Sequence, residues 1–375
     1  MSNLSLDLGG RSPLVVAYGL GVDSTAMLVG YWRRGIRPDA ILFSDVGAER
    51  EATYAYLPVI NEWLRGVGFP EVTVVRYVAK DFKHWPQYAT IEENILTNVS
   101  LPAIAYGGHS CSSKWKISAQ DAFLSTWPQA VEAWTLGVPV LRAVGFEDSP
   151  HEHKRAKRCA TFSVQDLDEE KYRAIFPLQE WGWDRTRCVE EIKAAGLPVP
   201  SKSSCYFCTA MKTWEVDELT RSKHMRIVII EARTRVRHVD YVINKRAELE
   251  AALAGPLLDT DRLEMEASLR RLPPNGLPLT EGLWRKAVKG HRGATPRPGS
   301  MTEYIRQKGF LPSALIDALI ELTPTHTFTR EDFDRMGLAG WQDWIARICG
   351  EAEEKVRALE ALSSCSVEMT VAVAA

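Results

Sequence analysis

The sequence predicts an α/β protein: a parallel sheet flanked by helices, with a cysteine-bearing insertion and a helical C-terminal extension. Three observations predict it. Short apolar runs alternate with segments of helical spacing through the first 80 residues. A glycine-rich turn joins the first of those runs to the first helical segment. From about Glu231 onward the pattern changes to long, charged, helical stretches.

Taken in order, "PLVVAY" is a short apolar strand and "DSTAMLVGYWRRG" has helical spacing that closes on Gly35. "DAILFSD" is a second strand, "REATYAYLPVINEWLRGVG" a second helix ending at Gly66 and Gly68, and "EVTVVRYV" a third strand. Strand, helix, strand, helix, strand implies right-handed crossovers and a sheet covered on both faces. Further on, "TLGVPVLRAVGFED" holds another strand, and the charged stretch that follows it, "SPHEHKRAKR", reads by itself as a solvated loop. "WDRTRCVEEIKAAGLPVP" is a helix stopped by Gly196 and Pro198. "EARTRVRHVDYVINKRAELEAALAG" and "GWQDWIARICGEAEEKVRALEAL" are helical, and the small residues of "SSCSVEMTVAVAA" predict a frayed end. The expected organisation is a sheet domain over residues 1–230, with its cysteine segment at 188–212, and a mainly helical region over 231–375.

Composition sets limits. Of 375 residues 45% are hydrophobic and 25% charged, and the net charge of -2 gives no global pull toward nucleic acid or anionic membrane. Any such contact must be local, and the basic segment with Arg285, Lys286, Lys289, His291 and Arg292 is the candidate for nucleic acid or a protein partner. "MSNLSLDLGGRSP" lacks a basic then apolar leader, and no apolar run approaches the roughly 18 residues of a membrane span. The expectation is a cytoplasmic protein without a membrane partner. Seven cysteines at irregular spacing point to reduced thiols with a metal or catalytic use.

"AYGLGVDST" lies between strand and helix, where α/β sheets bind ligands. Gly19 and Gly21 let backbone amides turn toward a ligand, and Asp23 or Ser24 can cap the helix. The helix N-terminus favours an anion by about 1 kcal/mol. The loop lacks the Lys-Ser/Thr ending of a P-loop and the G-x-G-x-x-G spacing of a dinucleotide site.

These residues resemble the pyrophosphate loop, S-G-G-x-D-S, of the adenine-nucleotide α-hydrolase superfamily, which includes N-type ATP pyrophosphatases and sulfonucleotide reductases. Gly19-Leu20-Gly21-Val22-Asp23-Ser24 occupies it here. The first Ser is Gly19 and the first Gly is Leu20, which leaves Thr25 or the backbone to replace a hydroxyl contact. "FSDVGAEREATY" looks like the D-T-G-x-x-x-P-E-T-Y segment of the phosphoadenosine-phosphosulfate (PAPS) reductase branch, with Glu51 and Ala52 in place of Pro and Glu. A carboxylate at Asp45 can accept hydrogen bonds from ribose hydroxyls, hold magnesium near the phosphates, or cap the next helix.

The resemblance covers about residues 12–225. It implies a Rossmann-like, HUP-type sheet that binds ATP and Mg2+. The nucleotide contacts it implies are Tyr18, Gly19, Leu20, Gly21, Asp23, Ser24, Thr25, Ser44, Asp45 and Gly47. "AVGFEDSPHEHKRAKR" is similar to a further segment of the branch, which makes Glu152, His153 and Arg155 candidates for gripping phosphate. Lys114 and Lys116, beside Cys111 in "SCSSKWKISAQ", resemble lysines that meet substrate phosphate or sulfate. Asp23, Ser24, Lys114, Lys116 and Arg155 form the implied catalytic set.

"KSSCYFCTAMK" carries Cys205 and Cys208 as C-x-x-C, with Cys188 on the helix upstream. With Cys111 these make four sulfurs for zinc or an iron-sulfur cluster; Cys159 is the rival fourth ligand. The resemblance points to a [4Fe-4S] cluster, with Zn2+ as the alternative. Cys365 has no base or cation beside it and lacks the Glu-Cys-Gly-x-His setting of a reductase tail, so it reads as an incidental tail cysteine.

The function implied is ATP cleavage between the α- and β-phosphates, with adenylation of a substrate, release of pyrophosphate and coupled sulfur transfer of the nucleic-acid thiolation type. A PAPS or APS reductase forming sulfite is one alternative. A nucleotide-binding regulatory or defence module without turnover is another, favoured by Gly19-Leu20. The partners expected are an adenine nucleotide and either nucleic acid or a sulfur-donor protein.

Overall fold

A computed structural model describes residues 11–102, 105, 110–165, 171–256, 258–277, 282–284 and 299–373. The basic segment at 285–292 lies outside them. The chain forms two compact units, Met1–Val78 with Ser112–Cys205, and Ala79–Cys111 with Tyr206–Ala375.

The first unit is the α/β part. Its strands are β1 (Leu14–Tyr18), β2 (Ala40–Ser44), β3 (Val72–Val75), β4 (Val140–Val144) and β5 (Tyr172–Ile175). All pair in parallel, in the order β3-β2-β1-β4-β5. Its principal helices are α1 (Val22–Arg33), α2 (Glu51–Gly66), α3 (Ser118–Leu124), α4 (Pro128–Thr135), α5 (Pro150–Gln165) and α6 (Arg185–Ala194).

Strand alternation divides the core. Leu14, Val16 and Tyr18 of β1 pack on one face with Met27 of α1, Ile60 of α2 and Ile192 of α6. Val15 of the same strand packs on the other face with Ala119 and Leu124 of α3 and Ala130 of α4. A strand buried on both sides is an uninterrupted apolar run, which is why "LVVAY" and "AILFS" read as strands without polar alternation.

The chain winds outward from β1 through β2 to β3, then crosses back to lay β4 against the other side of β1. The carboxyl ends of β1 and β4 therefore flank a crevice at a topological switch point. The glycine turn after Tyr18 opens into it.

Several local expectations change. α1 has Gly21 at its N-cap, so Asp23 and Ser24 lie inside the first turn and do not cap it. The N-cap of α2 is Arg50, so Asp45 does not cap that helix either. The stretch expected as a loop after β4 is α5: Pro150 starts it and the Ser149 hydroxyl accepts from the Glu152 backbone amide, a start signal of the S-x-x-E type. β5, a four-residue strand, was not expected from the sequence.

The second unit is helical among its described residues. Helices α7 (Arg221–Leu253), α8 (Met301–Lys308), α9 (Ser313–Leu322) and α10 (Trp341–Val373) are its main elements, with a shorter helix at Ile91–Asn98. The boundary expected after residue 230 falls inside α7. Residues 363–373, expected to fray, continue α10. The buried Glu231 of α7 gathers the backbone amides of Leu283, Met301 and Thr302 at 2.6, 2.9 and 2.9 Å and the Ser300 hydroxyl at 2.5 Å. One carboxylate thereby satisfies the N-terminus of α8. Among the described residues no helix is long and apolar enough to cross a membrane.

Candidate functional site

The glycine loop is built from its own backbone. Gly19 N–H donates to Ser24 Oγ at 3.2 Å, the Ser24 hydroxyl donates to Gly21 O at 3.2 Å, and Thr25 N–H reaches the same carbonyl at 3.0 Å. Leu20 takes a left-handed backbone (φ 57°) with its side chain fully buried. That conformation costs a non-glycine residue roughly 1–2 kcal/mol, and such strain collects at functional sites. Gly21 at the N-cap has no side chain, and no side-chain hydrogen bond caps the first turn of α1, the kind of helix start that favours an anion.

Thr25 does not replace the missing loop hydroxyl. It is fully buried, and its Oγ1 pairs with the Tyr18 hydroxyl at 3.0 Å. The hydroxyl that does reach the loop is Ser203: a Cβ at Gly21 would lie 2.9 Å from Ser203 Oγ, and one at Gly19 3.8 Å. Ser203 stands 182 residues after Gly21 in the chain, on the arm leading into the C-x-x-C, and no local pattern announces it.

Across the switch point, Gly145 after β4 approaches α1 so closely that a Cβ there would lie 2.9 Å from both Ser24 Cα and Ser24 N. This approach brings Glu147, Glu152 and Arg155 toward Asp23. Asp23 pairs with Arg185 at the start of α6 at 2.6 Å. Burial raises the Asp23 pKa against the pull of Arg185, and the Glu152 charge adds to the rise. Burial and then the Asp23 charge raise Glu147 as well, and Glu147 Oε2 is buried without a hydrogen-bond partner. Arg155 holds Glu152 through both carboxylate oxygens at 2.9 and 2.7 Å and lies over the Phe146 ring. His153 pairs with Asp148 at 2.6 Å. Carboxylates shifted upward by burial beside arginines, gathered at a switch point, mark a candidate functional site.

At the end of β2 the expected residues are already partnered. Asp45 accepts from Tyr54 Oη at 2.7 Å, from Gly47 N–H at 2.8 Å, and from Arg76 Nε and Nη2 at 3.0 and 2.8 Å. Burial works against its charge, but these donors outweigh it and lower the pKa. The Ser44 hydroxyl donates to Lys116 O at 2.9 Å and accepts from Gln120 at 3.2 Å. Ser44 therefore anchors the π-helical turn Ser113–Ile117, a form of helix that recurs at functional sites. That turn carries both lysines: Lys116 reaches Glu49 Oε1 at 3.3 Å, and Lys114 lies over the Tyr77 and Trp115 rings.

The arm before the C-x-x-C is tied to this edge. Tyr56 Oη donates to Pro198 O at 2.9 Å, Arg50 N–H donates to Ser204 O at 3.1 Å, and Cys205 forms an antiparallel bridge with Glu49. Cys205 is thus carried on the same segment as Ser203. Cys188 has a different place: it is fully buried in the core of the first unit, and burial, with the Asp23 and Glu147 charges, pushes its thiol up to about 12. The half-buried Cys159 lies on α5, its thiol raised by burial despite Arg142 and Arg155. Cys111 and Cys208 belong to the second unit. Among the described residues no group of three or more His, Cys, Asp and Glu is placed to hold a metal ion.

Arg185, Glu147, Ser203 and Glu49 join the candidate site through the fold, and the sequence alone does not single them out. Compared with known proteins, the sequence matches no family model and no curated protein.

Proposed function

We propose that this chain is a PP-loop ATP pyrophosphatase-type enzyme, resembling the PAPS reductase branch, that adenylates a substrate oxygen and couples the activation to sulfur transfer. The observation that carries the reading is the glycine loop with the uncapped N-terminus of α1, opening at the switch point between β1 and β4.

The residues have distinct tasks in this reading. Amides of the loop and the first turn of α1 hold the phosphates, and Ser203 supplies the hydroxyl that the loop lacks. Arg155 and Arg185 stabilise charge that develops as pyrophosphate leaves. Asp23 and Glu147 would hold a magnesium ion carried by the phosphates, a role the partnerless Glu147 oxygen fits. When bound, that ion neutralises the departing pyrophosphate. The substrate oxygen attacks the α-phosphorus, the bond from that phosphorus to the bridging oxygen breaks, and AMP later leaves with the substrate oxygen when a sulfur nucleophile displaces it. Cys205 follows Ser203 by two residues on the arm beside the loop and is the candidate thiol in this reading.

The test is product analysis with full-length protein, MgATP and total RNA as acceptor. AMP and pyrophosphate in equal amounts are expected. Sulfite released from a phosphosulfate nucleotide, and lost in Cys365→Ser, would make the protein a reductase. Tight ATP binding with no product over hours would make it a binding module.

A further inference from the structure

Thr25 and Tyr56 carry buried hydroxyls that the proposed chemistry leaves unused: Thr25 lies fully buried in the first turn of α1, and Tyr56 is buried on α2. Both belong to one chain of hydrogen bonds. Tyr56 Oη donates to Pro198 O at 2.9 Å, and a carbonyl can only accept, so the Tyr56 proton is committed to the arm. Burial pushes the Tyr56 phenol up to about 12, and a hydrogen bond with Thr25 holds that rise back. Thr25 is therefore the donor in that pair. It follows that Tyr18 Oη donates to Thr25 Oγ1, 3.0 Å away. The order Tyr18, Thr25, Tyr56, Pro198 is fixed in one direction, and a buried chain of this kind strengthens each of its links.

The chain ends on a stiff segment. In "LPVPS" the prolines at 198 and 200 fix φ, Leu197 is buried in the core and Val199 packs against it. Further along, the N–H of Arg50, the N-cap of α2, donates to Ser204 O at 3.1 Å. Tyr56 and Arg50 thus pin the arm at both ends. Between those pins Ser203 packs on the glycine turn: a Cβ at Gly21 would lie 2.9 Å from Ser203 Oγ and 3.7 Å from Ser203 Cβ. With few free torsions in between, the seat of Pro198 decides where the Ser203 hydroxyl lies.

We propose that Tyr56 and Thr25 are positioning residues, whose hydroxyls seat the arm so that Ser203 meets the glycine turn. Tyr56 holds the arm directly, and Thr25 orients Tyr56. The assignment deepens the function proposed above and rests on it, because Ser203 is the hydroxyl given there to the phosphates. Thr25 serves the phosphates at one remove, through Tyr56 and the arm, without touching them.

Two measurements on the full chain test it: hydrogen exchange of residues 197–205 without ligand, and titration calorimetry with MgATP. Tyr56→Phe is expected to speed exchange in the arm and to weaken ATP binding, each about fivefold, the loss of one buried hydrogen bond. Thr25→Val is expected to do the same to a lesser degree, whereas Thr25→Ser, which keeps the hydroxyl, stays within about twofold of the parent in both. Ser203→Ala is expected to weaken ATP binding about fivefold, and adding Tyr56→Phe to it weakens binding by less than about twofold more, because Tyr56 acts through Ser203. Thermal melts confirm that the variants fold, and Tyr56→Phe carries the test if Thr25→Val does not. An arm that exchanges at the parent rate in Tyr56→Phe, losses that multiply in the double variant, or a Thr25→Ser variant as impaired as Thr25→Val would overturn the assignment. Faster arm exchange of the expected pattern, with no ATP binding by the parent, would keep the seat of the arm and refute the nucleotide reading.

Discussion

Leu20 holds a left-handed backbone while burying its side chain completely, so it combines a cost with a gain at one position. Leu20→Ala removes the gain and keeps the cost. Leu20→Gly removes both. The glycine variant is therefore expected to be more stable than the alanine variant by about 1 kcal/mol, the reverse of their usual order, with both below the parent by denaturant unfolding. An alanine variant equal to or above the glycine variant would mean that the loop is not held in this conformation. Asp23 poses a related conflict, because burial outweighs Arg185 and raises its pKa. A carboxyl whose pKa rises on folding costs stability while ionised. Asp23→Asn is expected to melt higher than the parent at neutral pH and to lose adenylation, and the melting difference should close as the pH falls toward the carboxylate range near about 4. A difference that grows on acidification would refute this.

At the scale of elements, the site depends on where helices start. The first turn of α1 is available to a ligand because its N-cap is a glycine, and α6 begins where Arg185 can reach Asp23. In the second unit the N-terminus of α8 has the opposite treatment: Glu231 of α7 occupies it fully. Glu231→Ala strands the amides of Leu283, Met301 and Thr302 in a buried place and is expected to cost about 3 kcal/mol or more in chemical denaturation, while ATP binding by the first unit is unchanged. A cost below about 1 kcal/mol would show that water replaces the carboxylate.

For the whole molecule, the parallel sheet is legible in the sequence because buried strands are apolar runs, and the glycine turn between β1 and α1 because its glycines and aspartate follow one of them. What escapes is what long-range packing creates. Ser203 reaches Gly21 only once the arm folds back, and Glu49 acquires meaning only when Cys205 bridges it. Thr25 reads as a spare hydroxyl until Tyr18 is seen to hold it. α5 carried a legible start signal at Ser149 to Glu152 that its charged composition obscured. The division into units also escapes, since residues 79–111 leave the sheet unit and rejoin the helical one without any change of composition to mark it.

The proposed function requires the crevice between β1 and β4 to break ATP between its α- and β-phosphates. Exchange of labelled pyrophosphate into ATP by the full chain, with magnesium and an RNA acceptor, tests it most directly, because only reversible adenylyl transfer moves that label. Label in ATP that depends on Asp23 is the predicted result; no exchange, with ADP and phosphate accumulating instead, would contradict the account.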